Sequence, residues 1–383
     1  METAEYEVKL YLNGLLIGDV RPLAQDLEWV RRRTKMGADE IDFKLNDKLF
    51  ADWCIERNTT INDMLKPMAL ECQISRNGTP LVGGFLATMP SYSPKNDSAD
   101  LDMRFDGFLN LLNGVYIYNA STKLPYGTVT GRMNIVIRDL VQMANTRSAN
   151  AGKGYGLAYN GGSTMATITN TFDNYKTVKE FICERADNTT GAGPFDVYFL
   201  PDITSKKYEI WAQSQFGDTI TDWVANYPAS IDAVSAVSIS ASEVSGFASS
   251  VIALGSGEVS SDSAKNTAIK SFVQNNSKVV EYGYYETLIQ ESSITQQSTL
   301  TQMANTELAI DSKIIWQPEI TLTGRMVSPV KTGNKKIWIG DIITIKNDED
   351  LTGMTNGKFR VNELSVRVSE SNAEIITPTL ERV

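Results

Sequence analysis

At 383 residues, with 42% hydrophobic and 21% charged residues, the chain is long enough for two or three globular domains. Its 46 acidic and 36 basic residues leave a formal net charge of -10, which excludes a protein that grips duplex nucleic acid along its whole surface, because phosphate neutralisation needs clustered Lys and Arg. Histidine is absent, and with it go Ser-His-Asp and Cys-His catalysis, histidine-bearing zinc sites and histidine pH switches.

Taken in chain order, the first 113 residues read as strands. Residues 6–13 alternate and end at Gly14, and residues 27–33 form another run after the turn around Pro22. In ADEIDFKLND, Ile41, Phe43 and Leu45 alternate with Asp42, Lys44 and Asn46, the signature of a half-buried strand. Leu70, Cys72 and Ile74 repeat the pattern, Asn77-Gly78 supplies a hairpin turn, and residues 81–88 return. SYSPKNDSAD reads as a polar loop before a last strand at 101–105. Short strands at this spacing predict a closed or nearly closed antiparallel barrel over 1–113.

Residues 114–226 read as an α+β insertion. Val136, Leu140, Val141 and Ala144 fall at helical spacing, and Thr177 with Glu180 forms a capping-box pattern ahead of Phe181, Ile182 and Ala186. FDVYFLPDITSKKYEIWAQ predicts a hairpin with its turn near 201–206. The serine-rich residues 227–262 place Ile231, Ala233, Val237 and Ile239 on one face of a period-two run, so they are assigned as strands of a second barrel and not as a linker. Residues 263–311 are read as an extended segment near 281–289 and a helix over 298–310, returning to the insertion. Residues 312–383 supply four further strands, 314–324, 337–346, 358–368 and 373–380, which complete the second barrel. The fold class expected is mainly β, with two tail-tube-like antiparallel barrels and a mixed α/β domain.

Four features invite a chemical reading. Cys54, Cys72 and Cys183 are too few and too scattered for a Cys-only zinc site and read as packed thiols in a reduced compartment. AGKGYGLAYNGG fails the dinucleotide fingerprint, because Leu157 stands where the third glycine belongs, and it fails as a P-loop because Arg147 and Gly154 occupy key positions; it is assigned as a loop. Arg31-Arg32-Arg33 is the densest basic spot, but on a strand its side chains alternate between faces, so a solvated edge or a salt-bridged subunit contact is expected before nucleic acid. In NDEDLTGMTNG, Asp348, Asp350, Thr352 and Gly353 imitate the first half of a calcium loop, yet the twelfth position is Phe359 where a carboxylate is needed, so a polar hairpin loop is assigned. The N-terminus METAEYEVKLYLNG lacks the basic start of a signal peptide, and no window of about 18 apolar residues follows, so assembly in a host cytoplasm without a membrane span is expected.

WIGDIITIKNDEDLTGMTNGKFRVNELSVRVSESNAEIITPTL resembles the closing barrel of phage baseplate-hub and tail-tip hub proteins, where a Gly-Asp turn starts a strand, a loop follows and a second strand returns. ADEIDFKLND and MALECQISRNGTPLVGGFLATMPSY are similar to the first barrel of that family, TVKEFICERADNTTGAGPFDVYFLPD to its inserted helix and hairpin, and YGYYETLIQESSITQQSTLTQMANTELA to the segment leading back. The resemblance implies a structural virion protein of the tail tip or baseplate. It would be a homotrimer whose six barrels surround a lumen, adapting a sixfold tail tube to a threefold tip. A distal tail protein or tail tube would lie above it, spike or receptor-binding proteins below it, and DNA would pass without specific binding. Family members with peptidoglycan-cleaving or receptor-binding activity carry it on C-terminal extensions, and Val383 closely follows the last barrel strand. No enzyme is therefore expected, and no catalytic, metal or cofactor residue is assigned. A tail-associated peptidoglycan hydrolase using a carboxylate pair, and a carbohydrate-binding adhesin using exposed aromatics, are the alternatives.

Overall fold

The computed structural model describes residues 4–95, 98–150, 154–172, 175–186, 193–227, 234–235, 238–243, 247–258, 267–292, 294–312, 316–323, 327–349 and 356–383. The chain divides into two compact units, Met1–Ser240 with Pro318–Val383, and Ala241–Gln317. Among the described residues no helix is long and apolar enough to cross a membrane.

The first unit is built on period-two alternation. Strand Glu40–Asn46 buries Ile41, Phe43 and Leu45 and turns Glu40, Asp42 and Lys44 the other way. Tyr6–Leu12 pairs antiparallel with Leu70–Arg76, which the turn at Asn77 (φ 49) and Gly78 (φ 75) joins to Thr79–Leu86. Both turn residues are left-handed, as a two-residue hairpin of type I′ requires. The polar stretch after Pro90 is not a plain loop: Ser91–Lys95 pairs with the start of Ser98–Gly107, which in turn pairs with Glu40–Asn46.

Strands from the two ends of the chain meet in the middle of this sheet. Gln25–Arg32 pairs on one side with Glu40–Asn46 and on the other with Gly357–Val368, in the register Leu27↔Val368 to Arg32↔Glu363. Gly357–Val368 then pairs with Ile342–Asn347 and Glu374–Arg382. The mainly β class with an α+β insertion holds, and the strands of the two expected barrels are joined edge to edge. Their strands belong to one 15-stranded sheet, and no closing pair is found among the described residues. The reason is visible in the core, where Trp29 lies 6.4 Å from Trp338 and one cluster takes in Leu10, Ile41, Leu364 and Ile376. Burying the two apolar faces in one core removes both from water.

The insertion has a core of its own. Helix Met133–Asn150 buries Val136, Ile137, Leu140, Val141 and Ala144, one stripe at helical spacing. Helix Val178–Ala186 opens on the anticipated capping box: the Thr177 amide donates to Glu180 Oε2 at 2.8 Å, and the Glu180 amide donates to Thr177 Oγ1 at 3.1 Å. Both helices share one core with the hairpin Phe195–Phe199 and Lys207–Ala212, to which Phe181, Ile182 and Ile210 belong. Helix Asp47–Glu56, absent from the sequence reading, starts where Asn46 accepts from the Leu49 amide and buries Phe50, Trp53 and Cys54.

Of the serine-rich residues read as strands of the second barrel, Ser238–Glu243 pairs with Trp316–Thr323, whereas Ser250–Leu254 belongs to the second unit together with most of 263–311. Ser250–Leu254 is the centre of a three-stranded sheet, antiparallel to Lys270–Gln274 and parallel to Glu286–Gln290. Helix Gln297–Asp311 covers one face with Leu300, Ala304 and Leu308, four residues apart, against Val251 and Ala253. The helix and the sheet share one small core, while Phe272 and Leu288 on the strands stay exposed. The extended run read at 281–289 is in part helix, Asn276–Tyr282, capped by Asn275. Of the residues assigned to the serine-rich face, Ile231, Ala233 and Val237 lie outside the described residues.

Candidate functional site

The described residues of the features singled out in the sequence make structural contacts. At the imitation calcium loop, Asn356 Oδ1 accepts from the Asn347 amide at 2.7 Å and Asn356 Nδ2 donates to the Asn347 carbonyl at 3.0 Å, closing the hairpin between Ile342–Asn347 and Gly357–Val368. The amide at the ninth position is thus spent on backbone, while Asp350, Thr352 and Gly353 lie outside the described residues. Among the described residues no group of three or more His, Cys, Asp or Glu is placed to hold a metal ion. In the glycine-rich segment, Gly162 of strand Ala158–Gly162 runs so close to Ile210 that a Cβ would lie 1.8 Å from its carbonyl oxygen. That glycine allows close strand packing. Cys54 and Cys72 are buried, Cys183 is half-buried, and all three are free thiols. Burial pushes the thiols of Cys54 and Cys183 up to about 11, so neither is a ready nucleophile.

Two of the three arginines do not lie on a solvated edge. Arg31 and Arg33 are each 1% exposed, because the strand ends under the insertion and both side chains are enclosed within the chain. Arg31 pairs with Asp39 at 3.1 Å, donates to the Phe199 carbonyl at 3.0 Å and lies over the Tyr198 ring. Arg33 holds Asp196 through Nε and Nη2, the latter at 2.9 Å, and donates from Nη1 to Asn362 at 3.0 Å. Asp196 is completed by the Thr34 amide at 3.1 Å. Arg32 points to the other face and bridges Glu40 at 2.8 Å and Glu363 at 2.5 Å. Three consecutive residues therefore join the N-terminal strands, the insertion and the C-terminal strands.

A second junction is the Gly340-Asp341 turn. Gly340 is left-handed (φ 85), and the buried Asp341 accepts from the Trp338 amide at 3.0 Å and the Asp218 amide at 2.9 Å before the strand begins at Ile342. Burial outweighs these bonds and pushes its carboxyl up to about 6.

The surface that carries unspent charge is the outward face of the sheet. Cross-strand register sets Glu28 beside Asp42 and Asp42 beside Arg104, with Glu40 beside Asp106 and Lys44 beside Asp102. The cations there are already engaged: Arg104 with Glu40, Arg32 with Glu40 and Glu363, Lys44 with Asp26 at 2.8 Å, and Arg367 with Glu28 at 2.9 Å. Asp42 is left without an ion pair among the described residues. Burial, then the like charge of Glu40, pushes its carboxyl up to about 6 in spite of Arg104. An open cleft of about 320 Å³ runs past Asp42, Lys44, Met89 and Arg104. Alternation alone placed Asp42 outward, but the acidity of the face follows from register between strands far apart in sequence, which no local pattern carries.

No protein-family model matches the sequence, and no curated protein sequence does. Among solved structures, the chain is similar to the 43 kDa tail protein of prophage MuSo2 from Shewanella oneidensis, with a TM-score of 0.62, 12% identity and 99% and 98% of the two chains covered. It is similar to the tail protein from Neisseria meningitidis MC58, with a TM-score of 0.60, 11% identity and coverage of 98% and 96%. It is also similar to prophage tail protein gp18 from Listeria monocytogenes EGD-e, with a TM-score of 0.52, 9% identity and coverage of 98% and 95%. At these identities the likeness is one of fold, and it spans nearly the whole chain. The resemblance read from the sequence holds at that level.

Proposed function

We propose that the chain is a structural protein of a bacteriophage or phage-like tail, a hub at the tail tip or baseplate. Three copies would form a ring that adapts a sixfold tube to a threefold tip. Such a part needs no catalytic constellation; it needs a rigid wall, edges that join neighbours and a lumen that does not hold DNA. What supports the reading above all is one sheet, built from both ends of the chain, with an acidic outward face, in a fold shared with prophage tail proteins. We assign that face, with Glu28, Glu40, Asp42 and Asp102, to the lumen, where a negative wall repels the phosphate backbone and lets it slide. The strand Leu15–Asp19 ends the sheet with Leu15 and Leu16 largely exposed, and it is the edge assigned to a neighbouring subunit. Above the ring the reading puts the tail tube or distal tail protein, and below it the spike or receptor-binding proteins.

The test is the mass of the purified protein and of the same protein in tails. Native mass spectrometry is expected to give three times the 42.3 kDa chain, and electron microscopy to give a ring with a central opening. A strictly monomeric protein that is absent from tail particles would sink the proposal.

A further inference from the structure

The insertion carries a second surface that the channel reading does not use. Tyr116 and Tyr175 are 49% and 55% exposed, Leu124 is 61% exposed, and Tyr118 lies 6.5 Å from Tyr175. The Tyr118 and Tyr175 rings, and the backbone at Tyr116, are held in place. Arg147 donates to the carbonyls of Tyr116 at 2.6 Å and Tyr118 at 2.5 Å, and its guanidinium lies 3.9 Å from the centre of the Tyr118 ring. Lys123 Nζ lies 5.6 Å from the same ring, and the Tyr175 hydroxyl donates to the Lys123 carbonyl at 2.5 Å.

Exposed tyrosines contribute nothing to a core, and fixing them costs side-chain entropy that folding alone does not recover. Rings already fixed before a partner arrives lose little further entropy on binding, and Tyr and Arg are the residue types that dominate protein interfaces. The charge is equally specific. Neither Arg147 nor Lys123 is paired with a carboxylate among the described residues. Residues 114–186 carry eight Lys and Arg against four Asp and Glu, in a chain whose net charge is -10. Two cations without a carboxylate partner, beside a fixed pair of tyrosines, suit side-chain carboxylates. They are too few to neutralise a run of duplex phosphates.

We infer that Tyr116, Tyr118, Tyr175, Lys123 and Arg147 form a docking surface for an acidic polypeptide of a partner protein. The surface does not depend on the channel reading, and the two can fail separately. The experiment titrates the full-length protein with poly-L-glutamate as the probe, against poly-L-glutamine and a short DNA duplex, at physiological salt. Binding to poly-L-glutamate is expected to weaken about tenfold in Lys123→Glu and in Tyr118→Ala, the range set by loss of one interface anchor. It should stay unchanged in Lys48→Glu, a reversal at an exposed lysine on helix Asp47–Glu56. Lys123 is exposed and takes no part in a core, so Lys123→Glu keeps the test valid even where Tyr118→Ala perturbs its surroundings. Equal weakening in Lys48→Glu, or none in either patch variant, would reduce the effect to diffuse charge and overturn the inference. Tighter binding of the duplex would assign the surface to nucleic acid, and self-association lost in Lys123→Glu would assign it to a second copy; either result overturns it too.

Discussion

The two faces of strand Gln25–Arg32 handle charge in opposite ways. On its inward side and at its end, Arg31 and Arg33 are buried, and each meets a carboxylate and further hydrogen-bond partners. On its outward side Glu28 and Arg32 join a field of charges in which carboxylates outnumber the cations left to balance them. The buried charges tolerate no imbalance, since an unpaired ion in the interior is costly, so they fix how three regions of the chain meet. The outward charges tolerate imbalance because water screens them, and the excess is available for function.

The largest effect that would break this contrast is at Asp196. Asp196→Ala leaves Arg33 buried without its carboxylate and should cost about 3–5 kcal/mol, read as a lower urea midpoint. The double replacement Arg33→Met with Asp196→Leu should recover most of that loss, because it removes both desolvation costs together. A double variant no more stable than Asp196→Ala would show that the hydrogen bonds, not the charge balance, hold the junction.

On the outward face the sign reverses. The Asp42 carboxyl is raised from 3.8 to about 6, so the folded chain binds its proton more tightly than the unfolded chain does. That contribution is fully present below about pH 4 and is lost as the pH rises through about 6. Asp42→Asn should therefore stabilise the protein at pH 7 by about 1 kcal/mol, discounted because the group is partly exposed to solvent, and the gain should vanish at pH 4. An Asn variant less stable than the parent at pH 7 would mean that the carboxylate has a partner. Smaller still, Arg367→Ala breaks the pair with Glu28 at a position 72% exposed and should change stability by under about 0.5 kcal/mol. At the bottom of the scale, Asp348→Ala should leave the melting temperature equally indifferent to calcium and to chelator. A calcium-dependent shift in the parent that is lost in the variant would restore a metal site.

Local structure was legible where the cause is local. Asn77-Gly78 dictates its turn, Thr177 and Glu180 cap their helix, and Ile41, Phe43 and Leu45 declare a strand. Helix Asp47–Glu56 was legible in principle, since Asn46 is a good N-cap and Phe50, Trp53 and Cys54 sit three and four apart. It was obscured by following a strand with no loop between. The fate of the arginines was not legible, because Asp196 and Glu363 lie 163 and 331 residues away from Arg33 and Arg32. Nor was the unit at 241–317, whose strands are short and whose parallel pair, Ser250–Leu254 with Glu286–Gln290, spans a connection that period-two patterns do not report. The tyrosine surface depends on ring contacts between residues near 118, 147 and 175, and only the composition of 114–186 hinted at its charge.

The pairing of Gln25–Arg32 with Gly357–Val368 also sets a timetable for synthesis. At a translation rate of about 5–20 residues per second, the partner of Arg32 emerges roughly 15–65 s after it does. Throughout that interval Gln25–Arg32 has Glu40–Asn46 on one side and an open hydrogen-bonding edge on the other, with Trp29 awaiting Trp338. Nascent chains on one messenger would expose the same edge side by side. A lower rate of initiation, which spaces nascent chains further apart on the messenger, should therefore raise the yield of soluble protein.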